Sequence, residues 1–169
     1  RGARARTRSR DEAPPTALWR LATRNRRRYG GYLAHFGVLV MAIAVAISST
    51  LAQSTTATLA PGESVTLAGY TLTNDSLVVE PLPDDARVTE TRAEMTYAGS
   101  QSGTLATALR DYPNSSTAIA TPAVRTSIGE DLYVTLLASD STTGSVTVRV
   151  FVNPMVAWIW LGGLVLAIG

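Results

Sequence analysis

The chain has 169 residues with no cysteine and no lysine, and its formal charge of +2 conceals two oppositely charged regions. The first 32 residues carry ten arginines against Asp11 and Glu12, a charge of +8, whereas residues 53–153 carry five arginines against eleven carboxylates, a charge of −6. Such segregation indicates two compartments, and the lack of cysteine excludes a disulfide framework, a thiol redox pair and a thiolate metal site.

The N-terminal region, residues 1–28, is predicted to be an Arg-rich cytoplasmic tail that ends in an interfacial segment. Residues 1–17 have the composition of a disordered tail, and the lack of interleaved aromatic residues argues against a nucleic-acid arm. Residues 18–28 favour a short amphipathic helix at the membrane surface.

Residues 29–52 are predicted to form a transmembrane helix. Leu33 to Ala52 is free of formal charge, and twenty residues at about 1.5 Å each span a hydrocarbon core of about 30 Å. Tyr29 and Tyr32 mark the headgroup level, and the preceding arginines place the N-terminal side in the cytoplasm.

Residues 53–153 are predicted to form a small all-β domain, a sandwich or a barrel, on the outer side of the membrane. Alternating segments such as "SVTLAGYTLT", "RVTETRAEMTY", "DLYVTLLAS" and "GSVTVRVFV" are separated by turn-forming clusters, which predicts six to eight short strands. The Glu80–Pro83 segment is expected to be a loop or a sheet edge.

Residues 154–169 are predicted to begin a second transmembrane helix, with Pro154 in its first turn and Trp158 and Trp160 at interface depth. The chain starts at Arg1 and stops within this apolar run. We therefore expect a fragment of a longer, multi-pass protein, with the second helix truncated.

The only histidine, His35, lies within the first predicted span. At about 100° per residue it shares a face with mostly small residues, Gly31, Leu39, Ala42, Ala46 and Ser49, while Leu33, Val40, Ile47 and Leu51 are expected to face lipid. Small residues allow another helix or a flat cofactor to approach. Residue chemistry leaves two interpretations open: a metal ligand, or a neutral ring that hydrogen-bonds a neighbouring helix or extends to the interface.

The β region contains no group that the sequence marks as catalytic. Tyr70, Tyr97, Tyr112 and Tyr133 are interpreted as core or corner residues. The pairs Asp84–Asp85 and Glu130–Asp131 are interpreted as turn carboxylates rather than a metal site.

Four segments, in order, resemble the CcmF family of cytochrome c maturation proteins: "NRRRYGGYLAHFGV", "LAPGESVTLAGYTLT", "GEDLYVTLL" and "RVFVNPMVAWIWLGGLVLAIG". They cover residues 25–169. The Trp-rich periplasmic motif and the periplasmic histidines of the family have no counterpart in this sequence, and residues 1–17 match no part of it.

The resemblance implies that His35 is an axial ligand of a membrane haem b, with its second ligand outside this sequence. It also implies a bacterial inner-membrane location, with residues 53–153 in the periplasm. The implied partners are the haem chaperone CcmE, a CcmH-type thiol-handling subunit and apocytochrome c, to whose cysteines the haem vinyl groups are joined. The reactivity needed to join haem to cysteine is then expected to come from the cofactor, in keeping with the lack of catalytic residues here.

Two other functions remain to be weighed. One is a membrane-anchored β domain that docks partner proteins and binds no haem. The other is a periplasmic β protein whose N-terminal segment is a signal peptide cleaved after Ala52. The length of the apolar run, its histidine and the second apolar segment argue against cleavage.

Overall fold

A computed structural model describes residues 25–169. The predictions for residues 1–24, including most of the amphipathic helix, lie outside this range. The described chain divides into a helical unit, with residues up to Val45 and from Trp158 onward, and a β unit, Ala46–Ala157.

The first element is α1 (Arg26–Leu51). The backbone carbonyl of Asn25 accepts from the N–H groups of Arg28 (3.0 Å) and Tyr29 (3.1 Å), as the residue at a helix N-cap does. Residues Arg27–Leu51 are long and apolar enough to cross a membrane.

Nine strands follow in the described chain, one more than the highest number predicted. They are β1 (Gln53–Leu59), β2 (Ser64–Leu67), β3 (Tyr70–Leu82), β4 (Asp85–Ala98), β5 (Gly103–Asp111), β6 (Ile119–Thr121), β7 (Ala123–Thr126), β8 (Glu130–Asp140) and β9 (Ser145–Pro154).

The strands form two antiparallel sheets that pack face to face. One has the order β1-β9-β8-β7 and the other β2-β3-β4-β5-β6. Alternate side chains of both sheets meet in a core that includes Leu72, Met95, Leu132, Val134, Leu136, Val148 and Val150. The predicted small all-β domain is therefore confirmed, as a sandwich.

The short connections follow local backbone preferences. Ala68 (φ 50°) and Gly69 (φ 82°) join Leu67 to its cross-strand partner Tyr70, and positive φ at both central residues is what a two-residue type I′ hairpin requires. The sequence segment "SVTLAGYTLT" thus contains two strands and their turn.

The Glu80–Pro83 segment differs from a simple loop. Glu80 and Pro81 continue β3 and are paired with Glu90 and Thr89 of β4. Pro81 is tolerated because β2 pairs only with Tyr70 to Thr73, which leaves this part of β3 at a local sheet edge. The edge alternative of the prediction is the one observed.

The start of the second helix also differs from its prediction. Pro154 is the last residue of β9, and α2 (Val156–Ile168) begins two residues later. Met155 between them has a φ of 63°, and its N–H donates to the Gly129 carbonyl at 2.8 Å. The change from strand to helix after Pro154 is therefore made at a residue in the left-handed region, not at a proline in the first helical turn.

Candidate functional site

The polar end of α1 is built by contacts one helical turn apart. Arg28 Nε donates to Tyr32 Oη at 3.1 Å, and its guanidinium lies 5.9 Å from the centre of the Tyr32 ring. The Tyr29 and Tyr32 rings meet edge to face at 6.3 Å. Such a cluster of arginine and tyrosine is typical of the interface between water and apolar lipid.

His35 lies three residues after Tyr32, almost one helical turn further along. Its ring is fixed by a contact within its own helix. The Nδ1 atom is 2.7 Å from the backbone carbonyl oxygen of Gly31. A carbonyl oxygen only accepts, so the contact requires a proton on Nδ1. In the neutral ring the lone pair is then on Nε2, which is the form in which histidine coordinates a metal.

The second helix packs on the other side of α1. A Cβ built on Gly37 would lie 2.6 Å from Leu166 N and 2.7 Å from the Gly162 carbonyl oxygen, and one on Gly162 would lie 2.6 Å from Met41 Cγ. Ala44, on the same helical stripe, is fully buried. Because Gly37 is about 200° around the helix from His35, α2 approaches the side opposite the histidine.

The contact with α2 lies on the side of α1 whose larger residues, Leu33, Val40, Ile47 and Leu51, are expected to face lipid. Gly37 and Ala44 on this side supply the contact. The face that carries His35 is exposed instead, including Leu39 at 55%. Small residues permit close approach on both faces, and within the described residues α2 does not use the one that holds the imidazole.

The carboxylates of the β unit divide into two kinds. Asp85 accepts three hydrogen bonds from Arg87, two from its guanidinium and one from its backbone N–H, at 3.0 to 3.1 Å. These bonds, the guanidinium first, hold the pKa of Asp85 below its usual value. Asp85 opens β4 directly after the turn at Pro83 and Asp84, so Asp84 is the turn residue of this pair.

Glu130 and Asp131 are not turn residues, contrary to the prediction, because they open β8. Asp131 is 9% exposed and its Oδ1 atom has no hydrogen-bond partner. No group of three or more histidine or carboxylate side chains suited to a metal is present among the described residues.

The four tyrosines occupy core or corner positions, as predicted. Tyr70 and Tyr97 are core residues, each 4% exposed, and burial raises the pKa of Tyr70. Tyr133 packs edge to face on Phe151 at 5.8 Å. Tyr112 is 37% exposed and lies at the corner after β5, where its carbonyl oxygen accepts from Ser115 N at 3.0 Å.

A shallow depression of about 510 Å³ in the β unit is lined by Ser100, Gln101, Ser127, Ile128, Gly129 and Glu130. Glu130 is the single titratable group in this lining. A lone carboxylate beside hydroxyl and amide groups offers neither a nucleophile–base pair nor a ligand set. The depression therefore does not rival His35 as the chemical site.

Sequence reasoning missed the group that orients the histidine. Gly31 was assigned to the His35 face as a small residue, but its contribution is the carbonyl oxygen that fixes the ring. The four-residue spacing was the available signal, since a side chain on a helix lies over the preceding turn.

Comparison with known proteins places these observations in a family. Residues 50–154 match the family model described as the CcmF C-terminal beta-sandwich. The chain is 31% identical to the "Cytochrome c-type biogenesis protein CcmF" of Pseudomonas aeruginosa, covering 85% of this chain and 22% of that protein. It is also 31% identical to the "Probable cytochrome c-type biogenesis protein NrfE" of Escherichia coli, covering 81% and 24%.

A solved structure named "Cytochrome c Heme Lyase CcmF" has the same fold, with a TM-score of 0.69 at 23% identity. The superposition covers 90% of this chain and 27% of that one. The chain thus spans about a fifth to a quarter of the length of these relatives.

Proposed function

The chain belongs to the CcmF family, and from this membership we propose that it forms the C-terminal part of a cytochrome c haem lyase in which His35 ligates a membrane haem b. The observation that carries the proposal is the short contact between His35 Nδ1 and the Gly31 carbonyl. It sets the tautomer in which Nε2 is the free coordinating atom.

The residues around His35 fit a haem ligand in three respects. The ring nitrogen that would not bind the metal, Nδ1, is held by a hydrogen bond, as in almost all metal-ligating histidines. It lies on an exposed face in which small residues predominate, and α2 packs elsewhere. With a single histidine in the sequence, a second histidine ligand would come from outside it.

When bound there, haem b supplies one-electron chemistry at its iron. The part of this chain is to hold Nε2 toward the iron and to keep the proton on Nδ1. Because Gly31 and His35 belong to the same helix, the orientation is set locally and needs no neighbouring helix.

The β sandwich has a different role in the proposal. Its −6 charge and its lack of a catalytic constellation among the described residues suit a positioning and docking domain on the periplasmic side. In the family's pathway the partners would be the haem chaperone CcmE, a CcmH-type subunit and apocytochrome c, in the bacterial inner membrane.

The test is the haem content and ligation state of the full-length protein with His35→Ala. Losing an outer-shell partner of a metal ligand costs about 10–100-fold in affinity, and losing the ligand itself should cost at least as much. We expect the variant to lose most of its haem, or to retain a five-coordinate iron whose spectrum returns toward wild type when imidazole is added.

Leu33→Ala is the matched control, because Leu33 is also exposed but lies about 160° around the helix from His35. It should retain wild-type haem. A His35→Ala protein that keeps a normal bis-histidine spectrum would exclude His35 as a ligand. A wild-type protein without haem would favour the docking domain that binds no cofactor.

A further inference from the structure

The two sheets end in four edge strands that differ in length and protection. β2, β6 and β7 have three or four residues each, whereas β1 has seven. Edge strands are usually shortened or guarded by charge, proline or a bulge, because their unpaired backbone groups invite another strand. The β1 sequence "QSTTATL" has none of these guards, and its register with β9 is regular throughout.

The direction of the β1 backbone groups follows from β8. The Leu136 N–H donates to Thr107 Oγ1, and the Glu130 carbonyl accepts from Ser127 N. Neither acceptor nor donor belongs to β9. From Glu130 to Leu136, before the register shift that follows Leu136, the even-numbered residues of β8 therefore direct their backbone groups away from β9. Since alternate residues of an antiparallel strand bond to opposite sides, odd-numbered residues such as Tyr133 bond to β9.

The same alternation continues across β9. Tyr133 is paired with Phe151, so Phe151 bonds to β8, and its neighbours Val150 and Val152 bond to β1. The partners of these two valines are Thr55 and Gln53. The remaining residues of β1, Ser54, Thr56 and Thr58, therefore direct their backbone N–H and C=O groups outward from the sheet.

These outward groups are accessible. Ser54, Thr56 and Thr58 are all exposed, and within residues 25–169 their backbone atoms make no hydrogen bond to another strand. The Thr58 hydroxyl bonds to Thr147 Oγ1 at 2.9 Å, which holds this face of the strand without covering its edge.

We propose that the edge of β1 binds an extended, net-basic polypeptide segment as an added β-strand. Strand addition gains affinity from main-chain hydrogen bonds, and uncharged β1 side chains impose little sequence selection. The −6 charge of residues 53–153 favours a basic segment and opposes a second copy of the same domain. The occupant rests on the proposed function, in which it is the unfolded polypeptide that receives haem.

Thr56→Pro tests the edge without breaking the ladder to β9, because it removes an outward N–H. The matched control is Thr56→Val, which keeps that N–H and the β-branched shape. The probe is a fluorescent, unstructured lysine-rich peptide, compared with its glutamate counterpart and with a version N-methylated at alternate backbone amides. Fluorescence anisotropy with the full chain in detergent measures binding.

We expect the basic peptide to bind, the glutamate and N-methylated peptides to bind far more weakly, and Thr56→Pro to weaken binding at least about five-fold. Thr56→Val should bind like wild type, and so should His35→Ala, which separates this inference from the haem proposal. Equal binding by Thr56→Pro and Thr56→Val would overturn it. So would peptide-independent dimerisation that Thr56→Pro abolishes, because the occupant would then be a second copy.

Discussion

The two units of the chain place their large apolar side chains in opposite environments. The β unit buries an apolar core in which Leu72, Leu132 and Leu136 have 0 to 1% exposure. Helix α1 leaves large apolar side chains exposed, such as Phe36 at 56% and Leu39 at 55%. Only 11% of its most apolar 18-residue stretch is buried. The β unit therefore carries its own stability, whereas the helix relies on an apolar environment that other molecules provide.

The titratable groups follow the same division. The described helical residues contain arginines and His35 but no carboxylate, and all eleven carboxylates of residues 53–153 lie in the β unit. The fixed ring of His35 in an exposed apolar helix is the basis of the haem-ligand proposal. In the β unit, by contrast, carboxylates such as Asp85 and Glu90 pair with arginines of the same sandwich.

The largest expected effect tests the self-contained core. Leu132→Ala should lower the free energy of unfolding of the β unit by about 2–5 kcal/mol, because it leaves a cavity among close-packed side chains. Leu39→Ala, on the exposed face of α1, should leave it unchanged. Chemical unfolding of both variants in the same detergent, followed by far-UV circular dichroism of the sheet, makes the comparison. Equal effects would mean that the two units do not differ in this way.

A second test concerns the one contact that the helices make for themselves. Gly37→Ala should destabilise the α1–α2 pair by about 1–3 kcal/mol, because its Cβ would meet the α2 backbone. Gly31→Ala is the control, since its Cβ would meet nothing within 4 Å, and alanine is about 1 kcal/mol better than glycine in a helix. Denaturation followed by the tryptophan fluorescence of α2 should separate the two variants. Identical curves would place the helix contact elsewhere.

The smallest effect is a dependence on pH that belongs to the β unit. Asp140 accepts from Thr142 N at 2.8 Å and from Thr143 Oγ1 at 2.9 Å, and these bonds, the backbone one first, lower its pKa. With a folded pKa below the unfolded one, the stabilisation is present above the unfolded value, about 4, and is lost as the pH falls through the folded value.

Asp140→Asn should therefore melt with a shallower acid dependence than wild type. Thermal unfolding of the sheet across the acid range gives the slopes. A wild-type slope in Asp140→Asn would show that the hairpin hydrogen bonds do not distinguish the two protonation states.

Several features could be predicted because they depend on local pattern. The apolar run after an arginine cluster predicts α1, and strict alternation predicts β4, β8 and β9, since side chains of a strand alternate between two faces. The histidine could be singled out by its depth in an apolar segment. The turn at Asp84 could be predicted from the residues next to it in the sequence.

Other features depend on contacts between distant parts of the chain. The Glu130–Asp131 pair looks like a turn in the sequence, yet it opens β8, a strand that β7 and β9 flank on both sides, and Asp131 is buried there. The buried amide of Asn74 joins the carbonyls of Leu59 and Gly144, which are 15 and 70 residues away. Partners this far apart in the chain cannot be predicted from a local sequence pattern.

The sequence alone determined that an apolar helix containing the single histidine precedes a region of alternating strands. Periodicity and composition are properties of consecutive residues, so they can be read without a fold. The tertiary structure decided that α2 packs opposite His35, that the β domain is a sandwich rather than a barrel, and that β1 presents an open edge. Each of these results depends on which surfaces meet, and that is settled by packing between residues far apart in the chain.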